Sequence, residues 1–334
     1  MNNDIKIGVS LYSLTTQFIH EELDLEGCLK AVHDMGYKGV EIVAAQMVPE
    51  YPFPSDAWLY SFRGLLEKYD LEPVCWSAYI DMGIRSDRDL TDAEIVQYTV
   101  NDLIVAKKAG FPMVRTQHAI SPAIFRKMIP LCRDLDMKLT IEMHWPHHPD
   151  VPVWQEYFRI MKGEGKGYLG FVPDFSIFQT MPHKLYLKQA VEFGCRKEAL
   201  DEIVKIHDEA NRKQISTDER VGWCMEKVLQ GRYTDIEKQY AEEMFGKFNH
   251  PARIEQFKDI MDCVFYVHGK FYYLDNDIHD PCIPYEILIP KFAEYGYKGF
   301  IASEFEGHHF YSDVDCVEQL AHYVAMNKSL LEKL

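Results

Sequence analysis

No run of lysine and arginine, no Cys-x-x-Cys pair, no Gly-x-Gly-x-x-Gly and no apolar stretch of membrane-spanning length occurs in the 334 residues. Each absence closes a class of function. Lys and Arg number 36 against 52 Asp and Glu, a formal charge of −16. Such a surface repels phosphate backbones and anionic lipid unless a local basic patch overrides it, so the expectation is no nucleic-acid and no membrane partner. No window approaches the ~18 apolar residues of a spanning helix. Met1-Asn2-Asn3-Asp4-Ile5-Lys6 leads into a short apolar stretch without a basic segment and a long apolar one behind it. No secretory signal is read there, and a cytoplasmic location is expected. The eight cysteines are scattered, as reduced, buried thiols would be. Hydrophobic content of 47% and charged content of 26% are those of an ordinary globular chain.

What is present is a repeated unit. Met35-Gly36-Tyr37-Lys38-Gly39-Val40-Glu41-Ile42 resembles Tyr295-Gly296-Tyr297-Lys298-Gly299-Phe300-Ile301-Ala302-Ser303-Glu304, and Ala109-Gly110-Phe111-Pro112-Met113-Val114-Arg115 is a looser copy. In each, a periodic helix ends at a glycine and a short β-rich run follows. Five more apolar runs, Ile5–Leu11, Glu72–Ser77, Lys138–Glu142, Tyr168–Asp174 and Cys263–His268, bring the strands to eight. Helices are predicted over Leu25–Met35, Ala57–Tyr69, Thr91–Ala109, Pro122–Leu135, Val153–Met161, Ile254–Asp262, Tyr285–Tyr295 and Val314–Leu331. Strict alternation predicts an α/β fold, a (β/α)8 TIM barrel forming one domain over 1–334. The competing doubly wound sheet lacks its glycine fingerprint after the first strand. One interval breaks the rhythm: Tyr168 to Cys263 is about 95 residues. The excess, 183–250, carries helical periodicity and predicts a helical insertion in the sixth βα loop, acting as a lid or a subunit contact.

Active-site groups of such barrels sit at the carboxyl ends of the strands. Four consecutive strands end in Glu142, Asp174, His268 and Glu304. Carboxylates crowded on one rim repel, and a divalent cation resolves the conflict. Three oxygens and one imidazole favour Mn²⁺, Mg²⁺ or Zn²⁺ over soft-metal chemistry, and no organic cofactor is called for. Glu306 competes with Glu304 as ligand, since both have inward parity. Glu304 is preferred because it lies closer to the strand proper. His144 lies two residues beyond Glu142, on the same side of an extended chain. It reads as a general base, or as a pocket histidine that orients a neighbour. His147 and His148 read as pocket wall or surface. Glu41, Arg115, His118, Trp145 and Glu306 complete a candidate substrate-binding rim. In it Glu41 reads as a second acid–base group or equally as a buried, paired carboxylate, and Arg115 and His118 bind a sugar hydroxyl or pair with a neighbouring acid. Trp76, Phe175, Phe178, Phe271, Tyr272 and Tyr273 add aromatics near the same face, suited to a flat ligand.

The ordered Glu142, Asp174, His268, Glu304 set, with Gly-Tyr-Lys-Gly-Val-Glu at strand two, resembles the xylose isomerase-like barrel family of sugar isomerases and epimerases. Two epimerase features are missing: Ile177 stands where a histidine follows the strand-six aspartate, and Gly269-Lys270-Phe271-Tyr272-Tyr273-Leu274 carries no arginine after the strand-seven histidine. The long sixth loop, the Glu-Met-His ending and the aromatic rim instead resemble the catalytic α subunits of bacterial C-glycoside deglycosidases. That resemblance implies an Mn²⁺-dependent lyase, paired with a smaller β subunit in a hetero-oligomer and acting on a 3-oxo-C-glucoside. Glu142, Asp174, His268 and Glu304 would bind the metal, with Glu142 and Glu304 also in the catalytic set. His144 would take the C2 proton before β-elimination of the aglycone. The alternative is a metal-dependent isomerase or epimerase acting on a keto sugar. A keto-inositol dehydratase shares the enolate chemistry. An endonuclease of the superfamily is disfavoured by the charge, and a non-enzymatic metal-stabilised scaffold would leave no open metal position.

Overall fold

A computed structural model of the chain describes residues 4–117, 120–249, 251–275 and 279–334. Eight parallel strands, β1 (Ile5–Ser10), β2 (Gly39–Val43), β3 (Glu72–Ser77), β4 (Met113–Thr116), β5 (Lys138–Met143), β6 (Leu169–Pro173), β7 (Val267–Phe271) and β8 (Gly299–Phe305), form one sheet. Its order is β6-β5-β4-β3-β2-β1-β8-β7. Single bridges from Phe171 to Val264 and from Asp174 to His268 join the two ends. The ring is therefore nearly closed, with helices around it, and is a TIM barrel.

Local chemistry explains most boundaries. The helix Asp92–Ala109 opens on a reciprocal capping box between Thr91 and Glu94. It stops at Gly110, whose φ of 90° is open to glycine at little cost. The helix expected over Pro122–Leu135 forms as two pieces, Pro122–Lys127 and Ile129–Leu135. Pro130 has no N–H to donate backward, and its ring crowds the carbonyl of Arg126. In β2 the pairing to β3 slips by one residue, from Val40–Pro73 to Glu41–Cys75. That irregularity sits directly before Glu41 and sets its direction.

Two expectations fail between β6 and β8. Ile254–Asp262 is no α-helix: only the short 3₁₀ turns Ile254–Phe257 and Met261–Cys263 form. β7 begins at Val267, four residues later than Cys263. Cys263 ends the second turn, Val264 forms only the single bridge to Phe171, and all three of Cys263, Val264 and Tyr266 are buried, so the run imitates a longer strand in sequence. The strand continues through Gly269, where an added Cβ would collide with the Tyr323 hydroxyl. Lys270 is thereby carried into the barrel on the same side as His268.

Four helices, Lys184–Glu192, Lys197–Arg212, Thr217–Gln230 and Asp235–Lys247, lie between β6 and β7. The last three share a core of their own around Ile203, Ala210, Cys224, Val228, Met244 and Phe245, separate from the barrel core. Among the described residues, no helix is long and apolar enough to cross a membrane.

Candidate metal centre and adjoining cavities

Glu142, Asp174, His268 and Glu304 each offer one ligand atom, and these atoms lie within 4.8 Å of one another. Glu142 and His268 come from the inward faces of β5 and β7, Glu304 from β8, and Asp174 from the first position after β6. All four are buried.

The histidine is the hinge of the cluster. His268 Nδ1 stands 2.8 Å from Glu142 Oε1 and 3.2 Å from Glu304 Oε2. Nε2 stands 2.9 Å from Glu41 Oε2. Burial alone would lower the pKa of this ring, but the fields of Glu304, Glu41 and Glu142 outweigh it and hold it well above the ordinary value. Protonated, the ring donates from both nitrogens. Glu142 is held well below the usual carboxylate range: burial opposes this, and Arg115 and His268 prevail. Burial opposes the charge on Glu304 as well, but His268 and Lys270 hold it low. Asp174 goes the other way, pushed up to about 6 by burial despite Lys270 and His144 nearby. Asp174 Oδ2 and Glu304 Oε2 are buried and accept no hydrogen bond. The Lys270 ammonium stands 3.1 and 3.0 Å from them. Hard oxygen donors, one imidazole and two underused buried carboxylate oxygens are the features a divalent cation satisfies.

Around this centre the remaining expected residues are placed as follows. Arg115 is buried and donates to Glu142 Oε2 (2.9 Å) and Ser77 Oγ (2.5 Å). It lines a cavity of about 430 Å³ over the cluster, together with Tyr12, Gln46, His144, Trp145, Lys270 and Glu306 among others. Glu306 is outside the four-residue cluster and pairs with Lys270 at 2.5 Å. Of the two readings of Glu41, the structure has the buried, paired carboxylate and not a rim residue: it is fully buried behind His268 and takes a second hydrogen bond from Ser10 Oγ (2.8 Å). His118 lies outside the described residues. His147 accepts from Trp154 Nε1 (3.0 Å) and lines the cavity wall.

His144 is placed to act on something in this cavity. Its Nδ1 is 2.6 Å from the carbonyl oxygen of Trp145. A carbonyl can only accept, so Nδ1 carries a proton, and in the neutral ring the lone pair is then on Nε2. Nε2 faces the cluster, 3.9 Å from Asp174 Oδ2.

The expected aromatic rim is thinner than its residue types suggest. Trp76, Phe175, Phe178 and Phe271 are fully buried packing residues. Phe175, for example, meets Phe178, Tyr285 and Phe292 edge-on. Trp145 and Tyr272 are the two of that set that reach the cavities. Lys270 is the site residue the sequence reading missed. It stands two positions after His268, and inward parity would have found it had the strand been placed correctly.

No protein-family model matches the chain. Solved structures with the same architecture include a sugar phosphate isomerase/epimerase from Parabacteroides distasonis (TM-score 0.55, 12% identity, 97% of this chain and 93% of that one). A xylose isomerase domain containing protein from Salmonella typhimurium is another (TM-score 0.54, 14% identity, 98% of each). The fold is thus that of the xylose isomerase-like barrels. The 3'-dehydrocarminate deglycosidase alpha subunit of a Microbacterium species is 31% identical over 326 residues, 95% of this chain and 92% of its own length. A C-glycoside deglycosidase alpha subunit of Arthrobacter globiformis is 29% identical over 307 residues, 92% of this chain and 86% of its own. At that similarity over nearly the whole length, the chain belongs to the family of C-glycoside deglycosidase alpha subunits.

Proposed function

We propose that the chain is the catalytic subunit of an Mn²⁺-dependent C-glycoside deglycosidase, a lyase that cleaves 3-oxo-C-glucosides. The observation that carries the reading is His144, held as the Nδ1–H tautomer with Nε2 directed at a buried cluster suited to a divalent cation. Glu142, Asp174, Glu304 and the Nδ1 side of His268 would hold the metal, while Nε2–H of His268 stays with Glu41 and fixes the ring. A bound divalent ion supplies Lewis acidity, favouring negative charge on the substrate's carbonyl oxygen. His144 Nε2 takes the proton from C2, which is acidic because C3 is oxidised. The electron pair left at C2 forms the C1–C2 double bond. The C1–aryl bond breaks with its pair toward the aglycone, whose ring carbon takes a proton. Lys270, desolvated but charged, places a fixed donor beside the same space, and Arg115 holds Glu142 ionised. The relatives' designation as alpha subunits supports a smaller partner subunit, and the cytoplasm is the proposed location.

The test is release of the aglycone from a 3-oxo-C-glucoside, with and without Mn²⁺ and the companion subunit. Release should require the metal and fall by about 10²–10⁴-fold in His144→Ala, with metal content retained. Unoxidised glucoside should be inert. No release, together with solvent deuterium entering a free keto sugar, would replace the lyase by an isomerase or epimerase.

A further inference from the structure

Beside the cavity over the cluster lies a second one, of about 240 Å³, which shares His144, Trp145 and Glu306 with it. Its walls include Tyr272, Phe248, Phe310 and Lys247. Tyr272 is stacked on His183 at 4.1 Å with 7° between the rings, and Phe310 meets His183 edge-on at 4.4 Å. This wall is flat, aromatic and braced. A lysine at the end of a helix usually extends to solvent or to a carboxylate. Lys247, the last residue of Asp235–Lys247, is half-buried and lies against rings instead: its ammonium is 5.0 Å from the Tyr186 ring, 5.7 Å from Phe248 and 5.8 Å from Trp145. Among the described residues no carboxylate forms an ion pair with it. Its backbone oxygen accepts from Trp145 Nε1 (3.1 Å), so the lysine is tied to the loop that carries His144.

We propose that this second cavity seats the aromatic aglycone and that Lys247 binds an anionic oxygen on that ring, a carboxylate or an ionised phenol. The inference deepens the deglycosidase reading and rests on it for the word aglycone. The geometry behind it is separate: a cation set among rings and, among the described residues, in ion-pair contact with no carboxylate, contiguous with the base; Glu306 on the same wall acts on it only at a distance. A ring there stacks on Tyr272 or Trp145, and its anionic group completes a charge-assisted contact in a partly desolvated setting.

Equilibrium dialysis of the full chain with a naphthoate, a dinitronaphtholate and an uncharged naphthol tests it without turnover. At least one anion should bind about tenfold more tightly than the naphthol, and Lys247→Met, which keeps the apolar stem, should remove that margin. Preference for the naphthoate alone assigns a carboxylate, and preference for the naphtholate alone an ionised phenol. Equal affinity for all three probes, or a margin unchanged in Lys247→Met, overturns the proposal. Dialysis and aglycone release fail independently: a Lys247-dependent margin without C-glucoside cleavage would condemn the reaction and leave the anion site.

Discussion

At the residue scale, the site depends on which of several inward carboxylates faces which cation. Parity along β8 places both Glu304 and Glu306 inward and cannot choose between them. The structure groups Glu304, not Glu306, with Glu142, Asp174 and His268: Lys270 meets both, but Glu304 also stands 3.2 Å from His268 Nδ1. Glu304→Gln should therefore weaken Mn²⁺ binding by at least about tenfold. Glu306→Gln should keep its metal and show its defect in turnover. Metal content after dialysis, measured beside activity, checks this, and equal metal loss in the two variants would remove the distinction. The convergence of Glu142, Asp174, His268 and Glu304 was legible in sequence because each lies in or beside the carboxyl half of an apolar run, although His268 stands near the start of β7 and not at its end. Glu41 was harder to read. Its register slip and its pairing to His268 depend on contacts across β1, β3 and β7 that strand endings do not encode.

At the element scale, the strands were readable as short apolar runs between periodic helices, even in β2 and β6, where every residue is buried. Reading failed in the stretch that leads into β7. The apolar run beginning at Cys263 satisfies a strand pattern, but the strand starts only at Val267, after a 3₁₀ turn and a single bridge, and Lys270 was left out of the site as a result. The helices between β6 and β7 show the opposite situation, with a local core and a local polar lock. The buried carboxylate of Glu237 receives Arg196 N, Nε and Nη2 and the Thr234 N–H. The hydrogen bonds from Arg196 lead in lowering its pKa, to about 2. A carboxyl with a lowered folded-state pKa contributes stability above its unfolded value, near 4.3, and loses it as the pH falls toward 2. Glu237→Gln should cost about 1–2 kcal/mol at neutral pH, since it removes the charge and turns one acceptor into a donor. Denaturation midpoints of the two proteins should converge as pH drops from 7 toward 3. A gap that widens on acidification would refute the assignment.

At the scale of the whole molecule, the closed ring of parallel strands brings distant acids to one rim and makes their mutual repulsion a property of the fold. Glu41, Glu142, Asp174 and Glu304 are buried within the same barrel mouth, opposed by Arg115, Lys270 and His268. Without metal, the proton on His268 supplies the third positive charge. A divalent ion would replace that proton and add charge, so binding should release protons and weaken as pH falls. It should also stabilise the fold, because the four ligands converge only when β5, β6, β7 and β8 are assembled. At a free Mn²⁺ concentration about 100 times the dissociation constant, linkage gives about 2.7 kcal/mol. For a chain of this length that corresponds to roughly 3–5 °C in Tm. Thermal melts with and without Mn²⁺ should show that rise in the wild type, a smaller one at lower pH, and none in Glu142→Gln. An undiminished rise in Glu142→Gln would locate the stabilising ion elsewhere on this acidic surface and withdraw the barrel mouth as the metal centre.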